Sequence, residues 1–178
     1  MKVLGLVGSP RKNSNTDLTV TQILKGTQDS SNQTEKLYLY GLNIAPCVDC
    51  RACKTAKQQC VIKDDLQTVY PKLESADVIV FGSPLYWYGP TAQMKLLIDR
   101  LRPYVESKKL KGKQAILVIS SAEDAEACRF MVGAFELSFE YLGMDFVGKV
   151  LVKAYEKAEV AKQPEVLKAA FELGKTLK

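Results

Sequence analysis

The chain has 178 residues, 47% hydrophobic and 25% charged, with a formal net charge of +5 and no histidine. That size and composition suit one soluble domain over residues 1–178, burying about 70% of the surface of the unfolded chain. The lack of histidine excludes Ser-His-Asp and Cys-His catalysis, His-ligated zinc and any imidazole acid–base step.

In chain order, the apolar run Val3-Leu4-Gly5-Leu6-Val7 predicts a first strand over residues 2–7. The residues before it show no signal-peptide pattern. No apolar stretch approaches the roughly 18 residues that cross a bilayer, so a cytoplasmic protein without a membrane partner is expected. Gly8-Ser9-Pro10-Arg11-Lys12-Asn13-Ser14-Asn15-Thr16 follows and opens a helix expected over 16–27. The free N–H groups and positive dipole end of a helix start attract anions. Side chains of Ser9, Ser14, Asn15 and Thr16 add donors, and Arg11 adds fixed positive charge. The Gly-Lys-Ser/Thr ending of a Walker loop is missing, and a dinucleotide fingerprint needs three glycines where this loop has one. The loop therefore suits the phosphate monoester of a mononucleotide such as FMN; an ordinary capped strand-to-helix turn is the other reading.

A second strand at 35–40 leads into a cysteine-rich loop over 46–62, with the pattern Cys47-x2-Cys50-x2-Cys53-x6-Cys60. In a cytosolic chain such clustering points to metal or redox chemistry before structural disulfides. Three cysteines at two-residue gaps, with a fourth further on, can wrap one 4Fe–4S cluster. The middle cysteine argues against zinc, which more often uses two separated Cys-x2-Cys pairs. A cluster-free thiol loop, zinc and a regulatory disulfide stay open as alternatives. Cys128, in a helical pattern, reads as a small core residue.

After a helix at 65–75 and a strand at 78–82 comes Ser83-Pro84-Leu85-Tyr86-Trp87-Tyr88-Gly89-Pro90. Adjacent exposed aromatics on a rigid loop favour contact with something flat. Pro84, Leu85, Tyr86, Trp87, Tyr88 and Gly89 are thus candidates for contact with an isoalloxazine ring, for a subunit interface, or for both. A helix at 91–101 follows, and then a mildly basic stretch at 108–113. That stretch reads as a solvated loop rather than a nucleic-acid site. The strand at 114–120 ends at Ser120 and Ser121, which either serve the cofactor or, for Ser121, cap the next helix. A helix at 125–142, a strand at 145–153 and a helix at 164–177 complete the pattern.

The runs Val78-Ile79-Val80-Phe81 and Ala115-Ile116-Leu117-Val118-Ile119 have no polar alternation, as expected of parallel strands covered on both faces. Regular β-α alternation then gives an α/β, doubly wound fold. Five strands fit the flavodoxin-like order 2-1-3-4-5, an order taken by analogy. In such sheets ligands sit beyond the carboxyl ends of the strands where the order reverses, which selects the loops after strands 1, 3 and 4.

The Gly8-Ser9-Pro10-Arg11-Lys12 start with Asn15-Thr16 resembles the FMN-phosphate loop of the NADPH-dependent FMN reductase group in the flavodoxin-like superfamily. Pro46-Cys47-Val48-Asp49-Cys50-Arg51-Ala52-Cys53 and Cys60-Val61-Ile62-Lys63-Asp64-Asp65 resemble the iron–sulfur flavoproteins of archaea and bacteria. Gly82-Ser83-Pro84-Leu85-Tyr86 and Met94-Lys95-Leu96-Leu97-Ile98-Asp99-Arg100 are similar to the same group. The likeness covers residues 1–120 and is one of pattern beyond them.

This resemblance implies FMN held at its phosphate by Ser9, Arg11, Asn13, Ser14, Asn15 and Thr16, with residues 84–89 near the ring. It also implies a 4Fe–4S cluster on Cys47, Cys50, Cys53 and Cys60, NAD(P)H as co-substrate, and a homodimer or homotetramer. The chemistry is borne by the flavin, so no catalytic side chain is expected. Electrons would pass from NAD(P)H or a reduced carrier such as ferredoxin to a small acceptor: a quinone, flavin, nitro or azo compound, or an oxygen species. A non-catalytic flavodoxin-like electron carrier and a cluster-free NAD(P)H:quinone reductase are the alternatives.

Overall fold

Uninterrupted aliphatic runs occupy the middle of the sheet, where both faces are covered. In the computed structural model, which describes residues 1–28 and 32–177, β1 (Lys2–Val7), β2 (Gln33–Tyr38), β3 (Val78–Pro84), β4 (Gln114–Ser121) and β5 (Asp145–Lys153) form one sheet. All pairings are parallel and the order is β2-β1-β3-β4-β5, the flavodoxin-like arrangement. Alternate side chains divide between two cores, as the two-residue period of a strand requires. Leu4, Leu6, Ile79, Phe81, Leu117 and Ile119 face a core shared with α2 (Leu66–Ser75), α3 (Ala92–Asp99) and α5 (Arg129–Leu142). Val3, Val7, Val78, Val80, Ile116 and Val118 face the opposite core, built with α1 (Asn15–Gln28) and α6 (Pro164–Lys175). Among the described residues, no helix is long and apolar enough to cross a membrane.

Most departures from the sequence reading lie at element ends. The second strand runs Gln33–Tyr38 rather than 35–40. Its register opposite β1 ends at Val7↔Tyr38, and buried Leu39 turns inward as a 3-10 turn, Leu39–Gly41. The helix expected over 91–101 stops at Asp99, and a short α4, Pro103–Ser107, follows it. Pro103 stands at the start of α4, and, lacking an N–H, it cannot donate the bond to the Asp99 carbonyl that would carry the first helix onward. The helix expected from 125 opens as a 3-10 turn, Ala125–Cys128, before α5 begins.

Helices α1 and α6 touch through their backbones. A Cβ added at Gly26 would run into the Phe171 carbonyl oxygen, and one added at Gly174 into the Ile23 carbonyl oxygen. Helix propensity alone favours Ala over Gly by about 1 kcal/mol. Overpacking a fixed backbone contact costs roughly 1–3 kcal/mol or more, so the steric effect wins. Gly174→Ala is therefore expected to lower the urea midpoint of unfolding; an unchanged or higher midpoint would show that the two helices are free to separate.

Candidate functional site

The loop after β1 is built around hydrogen bonds that leave its hydroxyl protons free. Gly8 N–H donates to the Gly82 carbonyl at 2.7 Å, and the Gly8 carbonyl accepts from Thr91 Oγ1 at 2.6 Å. Ser9 Oγ accepts from Arg11 N–H at 3.3 Å. Ser14 Oγ accepts from Asp17 N–H at 3.2 Å, and the Ser14 carbonyl accepts the first helical bond, from Leu18 N–H, at 2.9 Å. Ser14 is thus the N-cap of α1. Both serine hydroxyls accept from the loop and keep an O–H to offer an anion. The opening N–H groups of α1 have no intrahelical acceptor.

Asp17 holds this loop to the sheet. Its carboxylate accepts from Asn13 N–H at 2.7 Å, Lys36 Nζ at 2.7 Å and Tyr38 Oη at 2.8 Å. Asn13 lies in the left-handed region, φ 56°, and that bond fixes it there. Burial pushes the Asp17 carboxyl up, but the Lys36 ammonium, the Asn13 N–H and the Tyr38 hydroxyl outweigh it and hold it below the usual carboxylate range. Lys36 is the mirror case: burial pulls its ammonium down, and the bond to Asp17 carries it above the ordinary lysine value. The carboxylate therefore stays ionised and neutralised from behind, leaving Arg11 to set the charge in front. Sequence reasoning missed Asp17, Lys36 and Tyr38, although Ser14-x-x-Asp17 has the outline of a capping box.

In front of the loop lies a cleft of about 220 Å³. Ser9, Arg11, Ser14 and Asn15 line one side; Pro84, Leu85 and Tyr86 line a second; Ser120, Ser121 and Ala122 line a third. The candidates from the loops after strands 1, 3 and 4 thus meet at one place. Thr16 and Asn13 do not line the cleft: Asn13 is exposed, and Thr16 is buried, with its hydroxyl 2.7 Å from Ser120 Oγ. The Asn15 side chain is committed to another loop, donating to the Glu156 carbonyl at 2.8 Å and accepting from Val160 N–H at 3.0 Å. Trp87, Tyr88 and Gly89 do not line the cleft. They belong to a tight turn closed by Tyr86 N–H to the Gly89 carbonyl at 2.8 Å and Gly89 N–H to the Tyr86 carbonyl at 3.0 Å. Trp87 and Tyr88 are left-handed, φ 49° and 61°, as both centres of a type I′ turn must be, and Trp87 is 96% exposed.

A fourth wall, Ala154, Tyr155, Glu156 and Lys157, has no counterpart in the sequence reading. Ala154 N–H donates to the Ser121 carbonyl at 2.7 Å, and the Glu159 carboxylate accepts from Tyr155 and Glu156 N–H at 2.7 and 2.8 Å. The rule that ligands gather beyond strand ends applies to β5 as to its neighbours and was the available signal.

The cysteine loop lies over α3 and α4. Cys47, Cys53 and Cys60 are half-buried and Cys50 is exposed. All four line one cavity of about 20 Å³ with Ile62, Arg100, Arg102 and Pro103 among its other walls. Among the described residues, no group of three or more His, Cys, Asp or Glu side chains is arranged to hold a metal ion. Cys128 lies apart, buried in the α5 core, as expected of it. Burial pushes the Cys53 thiol up against the opposing charge of Arg102. The two ends of the loop are tied by a buried ion pair. Asp64 accepts from Arg100 Nη1 at 2.7 Å, Arg100 Nη2 at 3.3 Å, Ala45 N–H at 2.9 Å and Leu66 N–H at 3.1 Å. Arg100 Nη1 also donates to the Ala45 carbonyl at 2.7 Å. Burial alone would raise the Asp64 carboxyl, but Arg100 and these N–H donors hold it below its ordinary range.

An iron-sulfur flavoprotein of Methanocaldococcus jannaschii is 39% identical over 113 residues, covering 64% of this chain and 58% of its own length. One from Archaeoglobus fulgidus is 38% identical over 113 residues, covering 64% of this chain and 51% of its own length. The chain thus spans a little over half the length of these curated relatives. In fold, it is similar to the NAD(P)H:quinone oxidoreductase from Methanothermobacter marburgensis, with a TM-score of 0.72, 16% identity, and coverage of 99% of this chain and 96% of that one. The profile described as NADPH-dependent FMN reductase matches residues 1–157, which takes in all four walls of the cleft and the whole cysteine loop. By that match the chain belongs to the NADPH-dependent FMN reductase family.

Proposed function

We propose that this chain is an FMN-dependent oxidoreductase that takes electrons from NAD(P)H or a reduced carrier such as ferredoxin. It delivers them to a small acceptor: a quinone, flavin, nitro or azo compound, or an oxygen species. The observation that carries this reading is the cradle at the start of α1, where Ser9 and Ser14 keep free O–H groups beside Arg11 at the mouth of the cleft. These groups and the opening N–H groups of the helix suit a dianionic phosphate. Pro84, Leu85 and Tyr86 with Ser120, Ser121 and Ala122 would take the ring system. Bound FMN supplies hydride acceptance and electron release singly or in pairs. The residues of the chain bind it, orient it and exclude water from it.

The same reading gives Cys47, Cys50, Cys53 and Cys60 a 4Fe–4S cluster. Four thiols on one cavity match the donor set of such a cluster. The names of the two archaeal relatives support it.

Self-association is proposed through α5. Phe130, Leu137 and Tyr141 are exposed on that helix, spaced with Gly133, Ala134 and Ser138. Against an antiparallel copy, Phe130 meets Tyr141, Ala134 meets Leu137 and Gly133 meets Ser138. The occupant we propose for this face is a second copy, since an isologous two-fold contact sets one exposed apolar patch against itself. Such pairing serves a homodimer, or a homotetramer built from two.

Three measurements follow. FMN titration by fluorescence quenching should show Arg11→Ala weakening binding roughly tenfold to hundredfold, the value of a charge-assisted hydrogen bond. Wild type should prefer FMN over riboflavin, and the variant should lose that preference; equal affinity for both flavins in wild type ends the reading. Asp17→Ala should weaken FMN roughly tenfold despite removing a negative charge, because the acceptor that pins Asn13 is lost; tighter binding would mean that Coulomb repulsion dominates. Anaerobic reconstitution with iron and sulfide should load about four irons per chain, lost in Cys50→Ser and kept in Cys128→Ser. A yellow, iron-free product favours the cluster-free NAD(P)H:quinone reductase. In sedimentation velocity, Leu137→Glu should yield monomers from an associated wild type, and a monomeric wild type removes the proposed interface.

A further inference from the structure

The guanidinium of Arg100 is only 1% exposed, yet its Nε has no hydrogen-bond partner. A buried N–H without an acceptor is costly, and few native structures leave one on a charged group. Relief from Asp64 is blocked. Both of its oxygens already face Nη1 and Nη2, and the Ala45 and Leu66 N–H groups lock the carboxylate in that orientation. Carboxylates more often pair with Arg through a two-nitrogen fork. Here the fork is spent on the two terminal nitrogens, and the third is left over. Arg100 lines the cavity that Cys47, Cys50, Cys53 and Cys60 share.

We propose that Arg100 Nε–H donates a hydrogen bond to a sulfur of the group held by these cysteines, either a ligand thiolate or an inorganic sulfide. Arg100 is then a positioning residue with two tasks. Its terminal nitrogens close the loop through Asp64 and Ala45, and its Nε meets the cluster edge. Hydrogen bonds to cluster sulfurs stabilise the more negative, reduced state and raise the reduction potential. Arg51 and Arg102 border the same cavity but are exposed and already paired with Asp49, so neither carries a buried spare donor. The inference rests on the cluster reading above.

The test uses the full chain, reconstituted anaerobically with ferrous iron and sulfide and grown with 15N-arginine. Iron at background levels overturns the cluster reading itself, and the hydrogen bond with it. With iron bound, pulsed EPR of the dithionite-reduced protein should detect one 15N coupling. That coupling should persist in Arg51→Gln and Arg102→Gln. No coupling in an iron-loaded wild type overturns the hydrogen bond alone and leaves a water as the partner of Nε. Arg100→Lys keeps the charge and removes the Nε donor. It should shift the one-electron reduction equilibrium about tenfold toward the oxidised form, 59 mV downward. An unchanged potential in a loaded variant also overturns the proposal; if that variant does not fold, the isotope measurement on wild type still decides.

Discussion

A carboxylate buried at the foot of an anion cradle is the constraint around which the rest of this molecule is arranged. Asp17 sits in the first turn of α1, where a negative charge is favoured by the helix dipole and disfavoured by any phosphate above it. The conflict is resolved from below. Lys36 and Tyr38, both on β2, reach across to it, so an edge strand that lines none of the cleft governs the charge of its floor. The interaction also decides backbone geometry, because the same oxygen that meets Tyr38 fixes left-handed Asn13. Electrostatics and loop shape are therefore a single property here.

The other walls are joined to this floor by hydrogen bonds from buried side chains. Thr91 ties the loop after β3 to Gly8, Thr16 ties the loop after β4 to α1, and Asn15 ties the loop after β5 to the same turn. Residues that look like phosphate ligands in sequence thus divide into two kinds. Ser9, Arg11 and Ser14 face the cleft, whereas the side chains of Thr16 and Asn15 set the positions of its neighbours. That division follows from placement: Ser9, Arg11 and Ser14 precede α1, whereas Asn15 and Thr16 are its first two residues.

The sheet was legible because its central strands are apolar on both faces, and the bounds of β1 and β5 agree with the sequence reading residue for residue. The edge strand β2 was legible but not its bounds, since exposed Gln33 and half-buried Thr34 carry little signal and buried Leu39 mimics a continuing strand. The five-residue α4 is too short to show a helical period. The loops after β1, β3 and β4 announced themselves through glycine, serine and aromatic residues, and they do converge on one cleft. Partners distant in sequence did not. The pairing of Asp17 with Lys36 and that of Asp64 with Arg100 span 19 and 36 positions, and nothing local marks either member as a partner of the other. The 154–157 wall lacks any motif and is defined only by where β5 ends.

The glycine contact between α1 and α6 has a consequence for the region outside the family match, which ends at residue 157. No candidate ligand lies on α6, yet its backbone rests directly on the helix whose opening turn forms the cradle. A lever supported at one end keeps its angle only if the support is rigid. The final helix is such a support: the direction in which the first turn of α1 points is set in part by how closely residues 171 and 174 let the two helices approach.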